Sequence, residues 1–157
     1  MKTLNLKNSF NCLLLFCSII ILLQSCSKSG CTDSTADNYD PDATTSIDNC
    51  IPARDKFIAQ YSVQEQCGVN SYTYDISIAA ASPGKKNVTI TNFGQLITPV
   101  LAEVNGSLIQ ITEATYGNVI IAGQGELSGN ILVLSYSAID AGTADTLTCS
   151  ITATKIQ

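Results

Sequence analysis

The chain is predicted to be all-β: an eight-stranded antiparallel meander that closes into a small barrel, with a two-sheet β-sandwich as the alternative. Three observations predict it. From Ala53 to Gln157, Val, Ile and Thr supply 31 of 105 residues, the enrichment expected of a pleated, half-buried surface. Apolar and polar residues alternate with period two over whole segments, as in antiparallel strands with one buried face. Glycine, proline and asparagine signals punctuate these segments at short intervals, and no window carries a helical stripe.

The elements follow in order. Ala53–Phe57 is predicted to make one short turn. A strand over 57–66 places Tyr61, Val63 and Cys67 in one phase. The strand over 71–80 sets Tyr72, Tyr74, Ile76 and Ile78 on one face, interleaved with Thr73, Asp75 and Ser77. Ser82-Pro83-Gly84-Lys85 turns the chain into 86–92, where Val88 and Ile90 alternate with Thr89 and Thr91. Val100, Ala102 and Val104 mark a strand over 99–105, and Asn105-Gly106 is the strongest hairpin cue, leading into 107–113. Strands over 118–127, 130–138 and 145–154 complete the set, separated by Ser128-Gly129-Asn130 and Asp140-Ala141-Gly142. Links this short exclude parallel crossovers. A long meander removes its exposed edges by closing on itself or splitting into two sheets. Cys149 shares a phase with Leu147 and Ile151, so a bond from Cys67 to Cys149 would staple first strand to last at a barrel seam. At 105 residues the strands are short, which favours a filled interior.

Residues 1–25 read as a targeting segment. Lys2 and Lys7 form a basic start, and Cys12 to Leu23 is an apolar run of 12 residues, the length of a signal-peptide core and short of the roughly 18 needed for a spanning helix. The run ends in Leu22-Leu23-Gln24-Ser25-Cys26, which resembles a bacterial lipobox. The resemblance implies cleavage after Ser25, a lipid thioether on Cys26, acylation of the new amino terminus, and a home in the bacterial cell envelope, on the periplasmic or outer-membrane surface. Several acyl chains, at about 0.8 kcal/mol per buried methylene, make such anchoring permanent.

Charge and cysteine count narrow the function classes. The chain carries 8 basic and 13 acidic residues, and it has no histidine. No basic groove for nucleic acid can be built from it, and the commonest general base and transition-metal ligand is missing. Removing Lys2 and Lys7 with the leader takes the net charge from −5 to −7, so the lipid and not charge must hold the membrane. Of seven cysteines, Cys12 and Cys17 leave with the leader and Cys26 takes lipid. Cys31, Cys50, Cys67 and Cys149 remain, an even count that reads as two disulfides with three connectivities. Segment composition favours Cys31–Cys50 and Cys67–Cys149. A four-cysteine zinc site needs close CxxC pairs, and none is present.

Residues 26–52 are read as a lipidated tether and an acidic loop that precede the β domain of 53–157. Gly30-Cys31-Thr32-Asp33, Ala36, Asn38-Tyr39-Asp40-Pro41, Ala43 and Cys50 resemble a short cysteine-rich module of exported Gram-negative proteins. Asp37 stands where that module has its middle cysteine, which leaves Cys31 and Cys50 as the natural pair. Asp33, Asp37, Asp40, Asp42 and Asp48 are candidate oxygen ligands for a structural calcium ion; otherwise they form a solvated spacer. The β domain, with Phe57-x-x-x-Tyr61, Cys67 and a Thr-rich final strand holding Cys149, resembles small lipoprotein domains of lipocalin type. That resemblance implies the barrel, and a barrel mouth near Phe93, Leu96 and Ile97 as a small-ligand site.

Other signals read as structural. Gly123-Gln124-Gly125 is taken for turn and bulge glycines between strands, Glu103, Glu113 and Glu126 for solvated outer faces, and Tyr72, Tyr74 and Tyr116 for core and rim packing. With no nucleophile–base pattern visible, the expected function is non-catalytic binding of a protein or glycan, with small apolar-ligand carriage as the alternative.

Overall fold

The computed structural model describes residues 27–156; the leader and Cys26 lie outside them. Two short strands, β1 (Ser29–Gly30) and β2 (Thr45–Ser46), pair in parallel within the acidic module. A 3₁₀ turn over Ala53–Phe57 then leads into β3 (Ala59–Cys67), β4 (Asn70–Ala80), β5 (Asn87–Thr91), β6 (Val100–Asn105), β7 (Leu108–Tyr116), β8 (Val119–Ser128), β9 (Ile131–Asp140) and β10 (Thr146–Lys155). These eight form a closed antiparallel barrel in chain order, and β10 pairs with β3 to complete it. The barrel, not the sandwich, is therefore the architecture.

Alternation decides which residues fill it. Along β3, Tyr61, Val63, Glu65 and Cys67 point inward and are buried, while Ser62, Gln64 and Gln66 are exposed. The same rhythm buries Ile76 and Ile78, Val88 and Ile90, Val100, Ala102 and Val104, Ile109 and Ile111, Leu132 and Leu134, and Ile151 and Ala153. Phe57 plugs the end at which the chain enters, and Tyr61 donates its hydroxyl to the Phe57 carbonyl at 2.9 Å. Burial holds the Tyr61 proton, pushing its pKa up to about 12.

Two irregularities bend the sheet. Between Ile111 and Ala114 the β7–β8 register slips by one residue, a bulge. Gly123 and Gly125 lie inside β8, within the strand expected over 118–127 and not in a turn between strands, and they face β9 at close range. A Cβ on Gly125 would sit 2.5 Å from the Val133 carbonyl oxygen, and one on Gly123 would sit 2.7 Å from the Tyr136 Cβ. These two positions let β9 press inward, bringing Leu134 and Tyr136 into the core.

Each half of the sulfur reading is met by a bond: Cys31–Cys50 within the module and Cys67–Cys149 across the seam. Cys67 and Cys149 are direct cross-strand partners on β3 and β10. The module is built by backbone and short side chains. Asn38 donates to the Asn49 carbonyl at 2.7 Å and accepts from the Ile51 amide at 2.8 Å. Gly30 is packed so closely that a Cβ would meet Ala43 at 3.0 Å.

Candidate functional site

An antiparallel meander has two ends, and this barrel's differ in chemistry. The tethered end receives the chain from the module. It carries the 3₁₀ turn, the β4–β5 loop, and the end of β10. Among the described residues all six cations lie there or in the module: Lys28, Arg54, Lys56, Lys85, Lys86 and Lys155. Arg54 donates to the Ala81 carbonyl at 3.0 Å and to the Gly84 carbonyl, tying the turn to the β4–β5 loop. Its Nε lies 3.6 Å from Asp55 without a hydrogen bond.

Those cations, and the module's own amides, account for most of the proposed calcium ligands. Asp37 pairs with Lys56 at 2.5 Å. Asp40 pairs with Lys28 at 2.9 Å and accepts from the Asp42 amide, and Asp42 lies 3.6 Å from the same lysine. Asp33 accepts from the Thr35 amide and hydroxyl; those bonds, and then Lys85 and Lys86, hold its carboxyl below the ordinary range. Asp48 is exposed. Among the described residues, the one trio of metal-ligating side chains drawn close together is Glu65, Cys67 and Cys149, and it does not include these aspartates. The module's acids act as dispersed turn caps and ion-pair partners.

The far end carries the β3–β4 turn, the β5–β6 loop, the β7–β8 turn and the β9–β10 loop. Here a polar cluster is buried that alternation alone did not single out. Glu65, 4% exposed, accepts a hydrogen bond from the Tyr136 hydroxyl. Tyr136 Oη is 3.8 Å from Cys67 Sγ, so the cluster abuts the seam disulfide. Both sulfurs are bonded to each other, so neither is a free thiolate. Among the described residues, no lysine or arginine makes an ion pair with Glu65. Burial, and then the Glu65 carboxylate, push the Tyr136 and Tyr74 hydroxyls far above their ordinary pKa. Both phenols therefore keep their protons and remain donors.

The β5–β6 loop covers this cluster. Phe93 is buried and its ring lies 4.8 Å from that of Tyr136. The Gly94 amide donates to the Tyr74 hydroxyl at 3.1 Å, and a Cβ on Gly94 would meet Tyr136 Oη at 3.1 Å. Leu96 is half-buried against the core, while Ile97 is 99% exposed. The three residues expected at a ligand mouth thus do not line one open cleft: Phe93 is a plug, Leu96 its support, and Ile97 a projection from the rim. Val69 in the β3–β4 turn is almost as exposed, and Tyr72 and Leu147 are part-exposed nearby in the fold.

Four depressions of 240–550 Å³ lie on the outer wall, lined largely by outward residues such as Gln110, Gln124 and Ser135. One sits where β6 and β7 diverge above their three paired positions, and Tyr116 caps the free Leu101 amide there at 3.1 Å. Glu103 and Glu113 line that depression, on strands that face solvent. Among the described residues no helix is long and apolar enough to cross a membrane. No family model matches the chain, and neither does any curated protein.

Proposed function

We propose that the protein is a lipid-anchored envelope protein whose barrel works by binding, presenting its far end to a protein or glycan partner. The observation that carries this reading is the polarity of the barrel. The chain arrives at one end from Cys26 and the module, where all the cations of the described residues gather. The opposite end holds the two most exposed large apolar side chains, Val69 and Ile97. Ile58, Leu108, Ile131 and Ile156 at the tethered end are 41–55% exposed, so the far rim projects its apolar groups furthest, as an interaction surface would. A body tethered at one end meets other molecules with the other.

Catalysis is not the reading the cluster supports. The Tyr136 hydroxyl beside Glu65 holds its proton well above neutral pH, so it is no proton-transfer group there. The packed interior likewise argues for rim contacts over an enclosed apolar cargo, because Phe57, Tyr61, Phe93 and Tyr136 fill the barrel between its ends.

The test is site-specific photo-crosslinking in cells. A photo-reactive phenylalanine analogue replaces Val69 or Ile97 at the far rim, and Lys85 at the tethered end as control. Discrete adducts from positions 69 and 97, with none from 85, are expected. Adducts from 85 alone, or from no position, would overturn the assignment.

A further inference from the structure

The far end holds a carboxylate that the fold does not neutralise. Burying a charge is costly unless it is paired and hydrogen-bonded, and an apolar residue at position 65 would have served packing better. Glu65 has hydroxyl partners and aromatic neighbours, and among the described residues no cation. The charge map repeats this at larger scale. All six described cations sit at the tethered end or in the module. Glu65, Glu113, Asp140 and Asp145 lie in the far half of the barrel without one, while Asp75 is mid-wall and Glu103 and Glu126 are nearer the tethered end. The field at the far end therefore favours a positive ligand.

The covering loop is held in an awkward conformation. Asn92, Gly94 and Gln95 all have left-handed φ, of 63°, 55° and 61°. Glycine and asparagine adopt this region readily, but Gln95 does not, and its conformation costs on the order of 1 kcal/mol or more. The loop is retained by the Phe93–Tyr136 ring contact, the Gly94 amide on Tyr74, and an Asn92 side-chain bond to the Asp75 carbonyl at 2.7 Å. In this closed form the Gly94 N–H stands as a donor above the tyrosine pair, the place a ligand's N–H would take.

We propose that the far end is a closed binding site for a small organic ammonium ion. On this assignment the Phe93–Gln95 segment lifts, Glu65 supplies the countercharge, the Tyr74 and Tyr136 hydroxyl oxygens accept from the ammonium, and the rings of Tyr72, Tyr74 and Tyr136 face its positive charge. No covalent step is involved. The inference deepens the reading that the far end is the working end, and rests on it.

The probe is 2-phenylethylammonium, with 2-phenylethanol as its neutral match, titrated by calorimetry into the mature chain in non-ionic detergent. Hydrogen exchange of residues 92–96 is followed in parallel. Saturable one-to-one binding of the ammonium is expected, with the alcohol weaker by roughly tenfold or more, as a charge-assisted hydrogen bond requires. Glu65→Gln keeps an acceptor for Tyr136 and should lose the same roughly ten- to hundredfold. Gly94→Ala, strained at φ +55° and crowded against Tyr136, should loosen the loop, speed its exchange and tighten ammonium binding. No heat and no change in exchange at about 10 mM ammonium, equal binding of alcohol and ammonium, or unchanged affinity in Glu65→Gln would each overturn the proposal. Far-rim crosslinks obtained alongside any of those results would leave the binding-module reading standing and remove only the ammonium site.

Discussion

The seam disulfide offers a quantitative check on how the barrel is held. Replacing Cys67 and Cys149 together by alanine removes a cross-link between residues 82 apart in sequence. In the chain-entropy treatment, closing a loop of that length takes about 15 cal/mol/K from the unfolded chain, or about 4.5 kcal/mol at 25 °C. The native side changes less, because β3 and β10 remain joined by their register from Cys149–Cys67 to Lys155–Tyr61. The barrel should therefore still close, but with a deep loss against a typical stability of about 5–15 kcal/mol. Urea unfolding, followed by circular dichroism on oxidised wild type and the double variant, measures it. A loss of about 4–5 kcal/mol is expected, with a larger m value, since the released unfolded chain exposes more surface. A loss under about 1.5 kcal/mol with an unchanged m would refute the reasoning and show that the unfolded chain keeps its two ends together without the bond.

Three further expectations test the packing and the module. Gly125→Ala should cost about 3 kcal/mol, because its Cβ meets backbone that cannot swing aside, whereas Gly106→Ala, in an open turn, should cost only about 1 kcal/mol of backbone strain; thermal unfolding of both ranks them. In alkaline titration, Tyr61, Tyr74 and Tyr136 should remain protonated in the folded barrel well past pH 10. Their raised folded pKa values mean that this stabilisation is complete below the unfolded value near 10 and is lost as pH climbs beyond it, so the last tyrosinate absorbance at 295 nm should appear together with unfolding. Asn38→Ala removes two bonds that hold residues 49 and 51 and should weaken the module by about 1–2 kcal/mol, seen as faster proteolysis between Cys31 and Cys50; added calcium should not slow that cleavage in the wild type.

Most of the barrel was legible because one period governs it. Alternation in Tyr72–Ile78 and Val100–Val104, with Asn105-Gly106 between strands, sets strand positions to within a few residues. The inward phase of Cys67 and Cys149 anticipated the staple. The interior glycines were misread because Gly-x-Gly is a turn signal locally, and the approach of Val133 and Leu134 that requires them exists only after β9 is paired. Glu65 was overlooked although it lies in phase with Tyr61, Val63 and Cys67: a charge on the buried side of a strand was the available sign. Its partner Tyr136 lies 71 residues away, beyond any local pattern. Phe93 was placed near an end correctly, but whether a rim aromatic plugs or opens a barrel depends on what faces it, here Tyr136. The separation of cations from the far end also needed the strand order, because Arg54, Lys85 and Lys155 are distant in sequence and neighbours in the fold.

The most direct trial is intact-mass spectrometry of the native protein taken from its own membrane, with and without thiol alkylation after denaturation. The expected species begins at Cys26, carries the added mass of diacylglyceryl and acyl groups, and takes up no alkylating reagent until reduced, when four cysteines react. A chain that still bears residues 1–25, or one whose remaining four cysteines alkylate without reduction, would contradict an anchored, oxidised barrel.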